Sequence, residues 1–328
     1  MYKTVLITGA AGLIGKALTK MLLESGYSVK CFDLNEQFDR NSEYFKDLPN
    51  RDRMSIFCGS ILDVNSLRKA IDGCDVVVHL AAMLGVMKTE KDKLGCINVN
   101  IAGTDNVINT SVMHNVKKFI FASSSEVYGE PDSNPISEEQ TTKGKTVYAV
   151  TKMAGEELLK GYNQYYKGLN FTIIRFFNTY GEGQVAQFVL TKWVRNVLNG
   201  NNPIVYGDGS QVRSYGHVED AVTGVKLIIE NSISNGKVYN LGNSSQVRTL
   251  VELAQEVIDV VSPDKGLNVE ILGGFDGSDR DESREINVRY CDTSLAAKEL
   301  GYNPKITTKE GILRIAKQSN IYNDWPSI

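Results

Sequence analysis

Short apolar runs and amphipathic stretches alternate through the first half of the chain. β-Branched or aromatic segments fall at Val5–Thr8, Val29–Phe32, Ser55–Cys58, Val76–Leu80, Phe119–Ser123 and Phe171–Phe176. Between them, apolar residues recur at helical spacing in Lys16–Ser25, Val64–Ile71, Ile101–Met113 and Ala149–Tyr165. Strands that are apolar throughout suit a sheet covered on both faces, and strand–helix alternation requires right-handed crossovers. The pattern therefore predicts an α/β fold built on a doubly wound parallel sheet. After Asn178 the alternation loosens, and glycine-rich turns at Gly207–Ser210 and Gly273–Asp279 separate shorter elements. Residues 1–177 read as the sheet domain and 178–328 as a smaller α/β C-terminal lobe. One strand near 236–242, Lys237–Leu241, is expected to return to the main sheet.

The first strand ends in TVLITGAAGLIG, with Gly9, Gly12 and Gly15 spaced three apart and an amphipathic segment directly after. This is the strand, turn and helix opening of a Rossmann dinucleotide-binding unit. Gly9 permits the tight turn, Gly12 lets a pyrophosphate approach the backbone, and Gly15 lets the helix pack on the strand. The free N–H groups at the helix start, around Leu13 and Ile14, would face the phosphates. Asp33 closes the next strand, SVKCFD, about twenty residues on. A carboxylate there accepts hydrogen bonds from ribose hydroxyls and repels a 2′-phosphate. No arginine follows closely in LNEQFD, so NAD is favoured over NADP.

Composition narrows the class without naming it. A chain of 328 residues buries a substantial core. Its net charge of −3 comes from interspersed acids and bases, so no basic footprint points to nucleic acid or an anionic membrane. Five scattered cysteines lack a Cys-x-x-Cys pair, and three histidines are too few for a metal cluster. They read as reduced thiols of a cytoplasmic protein that holds no metal. No apolar run reaches membrane-spanning length, and a strand starting by Thr4 leaves no room for a signal peptide.

Tyr148 and Lys152 lie four apart in YAVTKMAGEELL, on one face of a helix. A phenol of ordinary pKa is a poor base, so it needs a nearby cation, which Lys152 and an oxidised nicotinamide can supply. Lowering such a pKa by about three units corresponds to roughly 4 kcal/mol. The result is a base suited to taking a hydroxyl proton while hydride leaves the same carbon. Ser124 ends the strand before it, in FASSSEVYG, where its hydroxyl could bond the same reacting oxygen or simply its own turn.

Together these residues resemble the extended short-chain dehydrogenase/reductases, specifically the nucleotide-sugar epimerase/dehydratase family to which UDP-galactose 4-epimerase belongs. The likeness runs through GAAGLIG, HLAA at His79–Ala82, NIAGT at Asn100–Thr104, SSSEVYG at Ser123–Gly129, YAVTK at Tyr148–Lys152, RFFNTYG at Arg175–Gly181 and GDGSQVRSYGHVED at Gly207–Asp220. By resemblance, Ser60 and Ile61 would touch adenine, although the place of Ser60 is normally acidic. Leu80, Ala81 and Ala82 would line the cofactor cleft, with Asn100 orienting backbone behind it. Asn178 would hydrogen-bond the substrate's diphosphate and Arg213 would neutralise it, with Arg280 or Arg284 a second cation.

The resemblance implies oxidation of a sugar hydroxyl, usually at C4, by NAD to a 4-keto sugar. Epimerisation, which needs only Ser124, Tyr148, Lys152 and room to turn the sugar, is the leading outcome. Dehydration needs a further acid or base: the residue after the catalytic Ser/Thr is commonly Asp, here Ser125, while Glu126 is kept. A Ser-Glu pair also resembles UDP-glucuronate decarboxylases, and net 4-dehydrogenation is a further alternative. A dinucleotide sensor without chemistry would be expected to lack one of the three catalytic residues. The family likeness also implies a homodimer through a four-helix interface built from Ile101–Met113 and Ala149–Tyr165, whose apolar positions could serve either interface or core.

Overall fold

The computed structural model describes residues 2–166, 168–185, 187–274 and 285–321. The chain opens with strand β1 (Thr4–Thr8), helix α1 (Leu13–Glu24) and strand β2 (Ser28–Asp33). Two short helices, α2 (Asn35–Arg40) and α3 (Ser42–Lys46), lead to β3 (Met54–Cys58), α4 (Val64–Ile71) and β4 (Val76–His79). Then come α5 (Val86–Lys91), α6 (Lys93–Ile97), a π-helical turn over Asn98–Ala102, and α7 (Gly103–Met113). Strand β5 (Lys118–Ser124), the long α8 (Val147–Tyr165) and β6 (Asn170–Phe176) complete the regular alternation. The remainder holds β7 (Thr179–Tyr180), α9 (Val189–Leu198), β8 (Ile204–Tyr206), β9 (Val212–Ser214), β10 (Gly216–His217) and α10 (Val218–Glu230). It continues through β11 (Lys237–Leu241), β12 (Val247–Thr249), α11 (Leu250–Val261), β13 (Glu270–Leu272), β14 (Val288–Arg289), α12 (Ser294–Leu300) and α13 (Thr308–Ile321).

Among the described residues, seven strands form one parallel sheet in the order β11-β6-β5-β4-β1-β2-β3. The doubly wound parallel sheet of the sequence reading is present. Chain order reverses on either side of β1, so the crevice where ligands bind in such sheets opens beyond the carboxyl ends of β1 and β4. The central strands are apolar because both faces are covered: β4 is buried at every position, as are four of five residues of β1. Helices α1 and α10 pack together on one face around Leu18, Leu22, Val222 and Val225. Leu67, Val107, Ile108, Phe121 and Leu159 fill the other. Val107, Ile108 and Leu159 are wholly buried and thus serve the core.

Beyond Asn178 the chain contributes to both parts of the molecule. Strand β11 pairs with β6, and residues from Val218 to Tyr302 help fill the first core. A separate cluster gathers Trp193, Val205, Val257 and Ile312 beneath the small sheets β12-β9-β14 and β13-β8. Helix α1 begins at Leu13, three residues before its amphipathic pattern, because it starts directly from the glycine turn. No helix among the described residues is long and apolar enough to cross a membrane. Four of the five free cysteines are buried and Cys58 is exposed.

Two buried titratable groups hold this sheet in place. The Nζ of Lys118, fully buried, donates to the carbonyls of Ile228 (2.5 Å) and Asn231 (3.1 Å) and to the Ser234 hydroxyl (2.7 Å), closing the end of α10. His79, fully buried, shares hydrogen bonds with Thr8 (2.7 Å) and Thr104 (3.0 Å), linking β4 to β1 and α7. Burial, with a smaller contribution from the charge of Lys152, holds the His79 pKa down to about 3. Between that value and the unfolded pKa near 6.5, the unfolded chain binds a proton that the folded chain refuses. Stability should therefore fall as pH drops from 6.5 toward 3, by up to roughly 1.4 kcal/mol per pH unit from this group. Thermal melts of wild type and His79→Gln across pH 4–7 should give a shallower slope for the variant; parallel slopes would refute the assignment.

Candidate active site

Gly9 (φ +72°) turns the chain off β1, and its N–H donates to the Phe32 carbonyl at 2.9 Å. A Cβ there would press on the Ala81 backbone nitrogen at 2.7 Å, so only glycine fits between the two strand ends. A Cβ on Gly15 would overlap the Gly9 carbonyl, so the first turn of α1 lies directly on the loop. Gly12 differs. It is exposed, and a Cβ there would meet only the Gly9 carbonyl at 3.3 Å. It caps α1 with no side-chain bond, and the N–H groups of Leu13 and Ile14 lie in the first turn, where no intrahelical carbonyl serves them. Asp33 stands beside this turn, accepting from the N–H groups of Ala11 (2.9 Å) and Leu34 (2.8 Å). Burial raises its pKa, and those two bonds oppose the rise.

Ser124, Tyr148 and Lys152 converge at the carboxyl end of β5. Ser124 Oγ accepts from Glu126 N (3.2 Å) as the cap of a short 3-10 turn, and its hydroxyl acts on the neighbouring Tyr148 in the direction that lowers the phenol pKa. The bond to its own turn, one of the two roles the sequence allowed this serine, is therefore present. Lys152 is 4% exposed, its Nζ donates to the Ala122 carbonyl at 2.7 Å, and it lies 5.7 Å from the centre of the Tyr148 ring. Burial pushes this ammonium down to about 8. The tyrosine pKa is raised by burial and then by the charge of Glu126; the lowering expected from Lys152 together with an oxidised nicotinamide concerns the cofactor-bound site. The reason is geometric: the ammonium is engaged by a carbonyl, while the phenol sits in a poorly solvated pocket beside a carboxylate. Glu126 is half-buried and accepts from Thr146 Oγ1 at 3.2 Å, at the start of α8.

A polar network beneath these groups was not marked by the sequence reading. Glu156, one helical turn beyond Lys152, is 2% exposed. It accepts from Ser123 Oγ (2.5 Å) and takes both Nε (3.0 Å) and Nη2 (2.7 Å) of Arg175. Arg175 reaches on to Tyr128, which donates to Asn240 on β11 at 2.7 Å. The available signal was the arginine of RFFNTYG lying inside an otherwise apolar strand, which requires a buried acid as its partner.

Other predicted positions take these places. Asn100 sits in the π-helical turn and grips Met83 twice, accepting from its N–H (2.7 Å) and donating to its carbonyl (3.0 Å). It also donates to Thr151 of α8 (3.1 Å). Leu80, Ala81 and Ala82 are half-buried in the segment between β4 and that clamp. Ser60 accepts from Leu62 N, whereas Ile61 is 6% exposed and packs on Gly103 in the core. Asn178 donates to the Ser214 carbonyl at 3.1 Å, next to Arg213. Arg213 is 3% exposed and forms an ion pair with Glu285, a partner the sequence did not suggest. Arg280 and Arg284 lie outside the described residues. Among the described residues, no group of three or more His, Cys, Asp or Glu gathers into a metal site.

A glycine turn with an open helix end and a Ser–Tyr–Lys cluster at adjoining strand ends describe a dinucleotide-dependent enzyme of the short-chain dehydrogenase/reductase class. Residues 5–242 match the NAD dependent epimerase/dehydratase family, and the chain belongs to that family. It is 33% identical over 323 residues to a UDP-N-acetyl-alpha-D-glucosaminuronate decarboxylase from Bacillus cytotoxicus, covering 95% of this chain and 96% of the relative. A UDP-glucuronic acid 4-epimerase from Bacillus cereus, solved with UDP-glucuronic acid and NAD, superposes with a TM-score of 0.86 at 26% identity, over 97% of this chain and 100% of the other. A dTDP-glucose 4,6-dehydratase from Streptomyces venezuelae, solved with NAD, gives a TM-score of 0.87 at 25% identity, over 98% of each chain.

The glycine turn fits the family's cofactor, because Gly12 is exposed at the start of α1 and a Cβ there would crowd only the Gly9 carbonyl, at 3.3 Å, whereas Gly9 and Gly15 are held by the protein itself. Gly12→Ala should therefore fold with a smaller loss of melting temperature than Gly15→Ala while weakening NAD binding by about tenfold or more, as a methyl group keeps phosphate from the backbone donors. Gly15→Ala should instead lower the melting temperature. Calorimetric titration with NAD, paired with thermal melts, checks both; unaltered NAD affinity in Gly12→Ala would refute the cradle.

Proposed function

We propose that this enzyme is an NAD-dependent nucleotide-sugar 4-epimerase acting through a 4-keto sugar. The observation that carries the reading is the convergence of Ser124, Tyr148 and Lys152 at the end of β5, two strands from the glycine turn that leaves β1. NAD would be held by the first turn of α1 and by Asp33, and supplies, when bound, a hydride acceptor and a positively charged ring. The chain's own residues handle the proton. Ser124 orients the reacting hydroxyl, and Tyr148 takes its proton as the carbon is oxidised and returns it as the ketone is reduced. Lys152 stabilises the phenolate electrostatically. Asn178 and Arg213 would hold the diphosphate, the guanidinium by forked bonds to phosphate oxygens.

Epimerisation is preferred because the position after Ser124, often an acid in dehydratases, is Ser125, 2% exposed and unable to act as a carboxylic acid. A second reading, loss of the C5 substituent after oxidation at C4, is supported by Glu126, whose charge reaches Tyr148, and by the likeness to a uronate decarboxylase. NMR of the protein in deuterated water with UDP-, GDP-, CDP- and dTDP-sugars separates the two. The expected product is the 4-epimer without deuterium at C5; a 4-keto-6-deoxy sugar or a decarboxylated product would overturn the epimerase reading. Tyr148→Phe should lower kcat by about 10²–10⁴-fold with NAD affinity retained.

The same reading makes the enzyme a homodimer. Met113 (72% exposed) and Tyr165 (85%) present apolar surface on α7 and α8, the helices expected to pair, and Leu94 (80%) adds to it on α6, which packs against α8. Light scattering should give twice the chain mass of 36.3 kDa, and Met113→Glu with Tyr165→Glu should return the monomer.

A further inference from the structure

Helix α8 meets three consecutive residues of β5 with three side chains. Lys152 Nζ donates to the Ala122 carbonyl at 2.7 Å, Glu156 accepts from the Ser123 hydroxyl at 2.5 Å, and Tyr148 neighbours Ser124. Glu156 does not serve the strand alone. Arg175 on β6 forks onto it through Nε (3.0 Å) and Nη2 (2.7 Å). Its Nη1 reaches the Tyr128 hydroxyl (3.0 Å) and the Glu138 carbonyl (3.2 Å). Tyr128 donates in turn to Asn240 Oδ1 on β11 at 2.7 Å, and Asn240 Nδ2 donates to the Ile136 carbonyl at 2.9 Å. Ser123, Tyr128, Glu156, Arg175 and Asn240 are all buried, so this polar row crosses the core from β11 to α8.

Desolvating such a row is unfavourable, and apolar residues of similar volume often hold the same elements as firmly. What apolar packing does not supply is a charge and a single geometry. Lys152 needs both. Around it stand the Tyr148 phenol on its own helix, the Cys96 thiol on α6, the His79 imidazole on β4 and the Phe121 ring on β5, 5.0 Å from Nζ. Burial keeps that thiol and phenol protonated and that imidazole neutral. Glu126 faces the phenol from the turn after β5, and Glu156 faces the ammonium from one turn along α8. Burial lowers the lysine, and the Glu156 carboxylate opposes that.

We propose that Glu156 and Arg175 are positioning residues for the proton transfer described above: through Ser123 and Lys152 they hold the ammonium, the Tyr148 phenol and the Ser124 hydroxyl in one working arrangement. Tyr128 and Asn240 carry that control to β11. This rests on the nucleotide-sugar reading and adds to it residues that act without touching substrate. Glu156 has two effects, one on where α8 sits along β5 and one on the charge of Lys152. Arg175 fixes the carboxylate so that both are exerted from a single position.

Replacing the ion pair by apolar residues separates position from stability. E156L/R175M should melt near wild type, because an apolar pair offsets the lost bridge. Its kcat on the nucleotide sugar that wild type turns over should fall about tenfold or more, with KM and the Kd for NAD within about threefold. E156Q keeps an acceptor for Ser123 but loses the charge. An ammonium without its anion gives up its proton sooner, so the high-pH limb of kcat should move to lower pH, which a purely structural bridge would not cause. Should E156Q fail to fold, the limb is read in E156L/R175M, which lacks the same anion. Y128F leaves the bridge intact and removes one bond from Arg175; it should lower kcat about threefold alone and no further in E156L/R175M. Should the double variant fail to fold, Y128F alone carries that arm. A folded E156L/R175M with wild-type kcat would overturn the proposal, as would a loss of kcat no larger than the loss of folded protein. An unmoved limb would overturn the effect on charge, and equal losses from Y128F in both backgrounds would overturn the extension to β11. If wild type turns over none of the UDP-, GDP-, CDP- or dTDP-sugars, the nucleotide-sugar reading falls together with the positioning; an active wild type with indifferent variants sinks the positioning alone.

Discussion

One buried carboxylate fixes helix α8. Tyr148, Lys152 and Glu156 follow one another at four-residue spacing along a single face of α8. The last of them is clamped between Ser123 on β5 and both arms of Arg175 on β6. That clamp sets how far along the sheet the helix lies and how it is rotated, and therefore where the phenol stands relative to Ser124. Close approach reinforces it, since a Cβ on Gly155 would collide with the Phe121 ring. Desolvating both ions offsets much of their attraction, so the pair is a poor source of stability, yet loss of one partner costs about 3–5 kcal/mol. Its contribution is position: a salt bridge has one satisfactory geometry, whereas apolar packing tolerates a helix that slides.

The two halves of the site meet because they grow from neighbouring strand ends. The glycine turn leaves β1, the Leu80–Met83 segment leaves β4, and Ser124 ends β5, three adjacent strands of the sheet. Each end is tied to the next. Gly9 packs on the Ala81 backbone, and Asn100 holds Met83 while bonding Thr151 on α8. A displacement of the cofactor-side loop is thereby felt one residue from Lys152. The π-helical turn that carries Asn100 makes this possible, because its wider winding re-aims one side chain between two helices.

Much of the fold was legible because it is local. The apolar runs, the three glycines and the Tyr-x-x-x-Lys spacing each declare themselves within a dozen residues. What escaped depends on distant partners. Glu156 and Glu157 are adjacent and chemically identical, yet one is 2% exposed against Arg175 while the other pairs with Lys160 at the surface. Lys117 and Lys118 divide the same way: the first meets Asp75 in solvent, and the second is fully buried beneath the end of α10. No periodicity separates members of such pairs; strand pairing and helix rotation do. The π-helical turn was hidden for a related reason, since its residues read as an ordinary helix until Asn100 is seen to need a partner on each side.

The electrostatics of the site follow from burial acting on opposite charges in the same direction. Desolvation favours the neutral form of every group, so it raises Tyr148 and lowers Lys152. Both shifts move the pair toward an uncharged phenol and amine, which is unfavourable for a base that must carry charge. Glu126 adds to the resistance at the phenol, while Glu156 draws the lysine back toward its cation. A phenolate is therefore expensive until another positive charge shares the pocket. The oxidised nicotinamide ring is such a charge, and binding it beside Tyr148 would make proton removal easiest when a hydride acceptor is present. On the proposed mechanism, burial would thus do more than seat the residues: it would tie the strength of the base to the readiness of the site to oxidise.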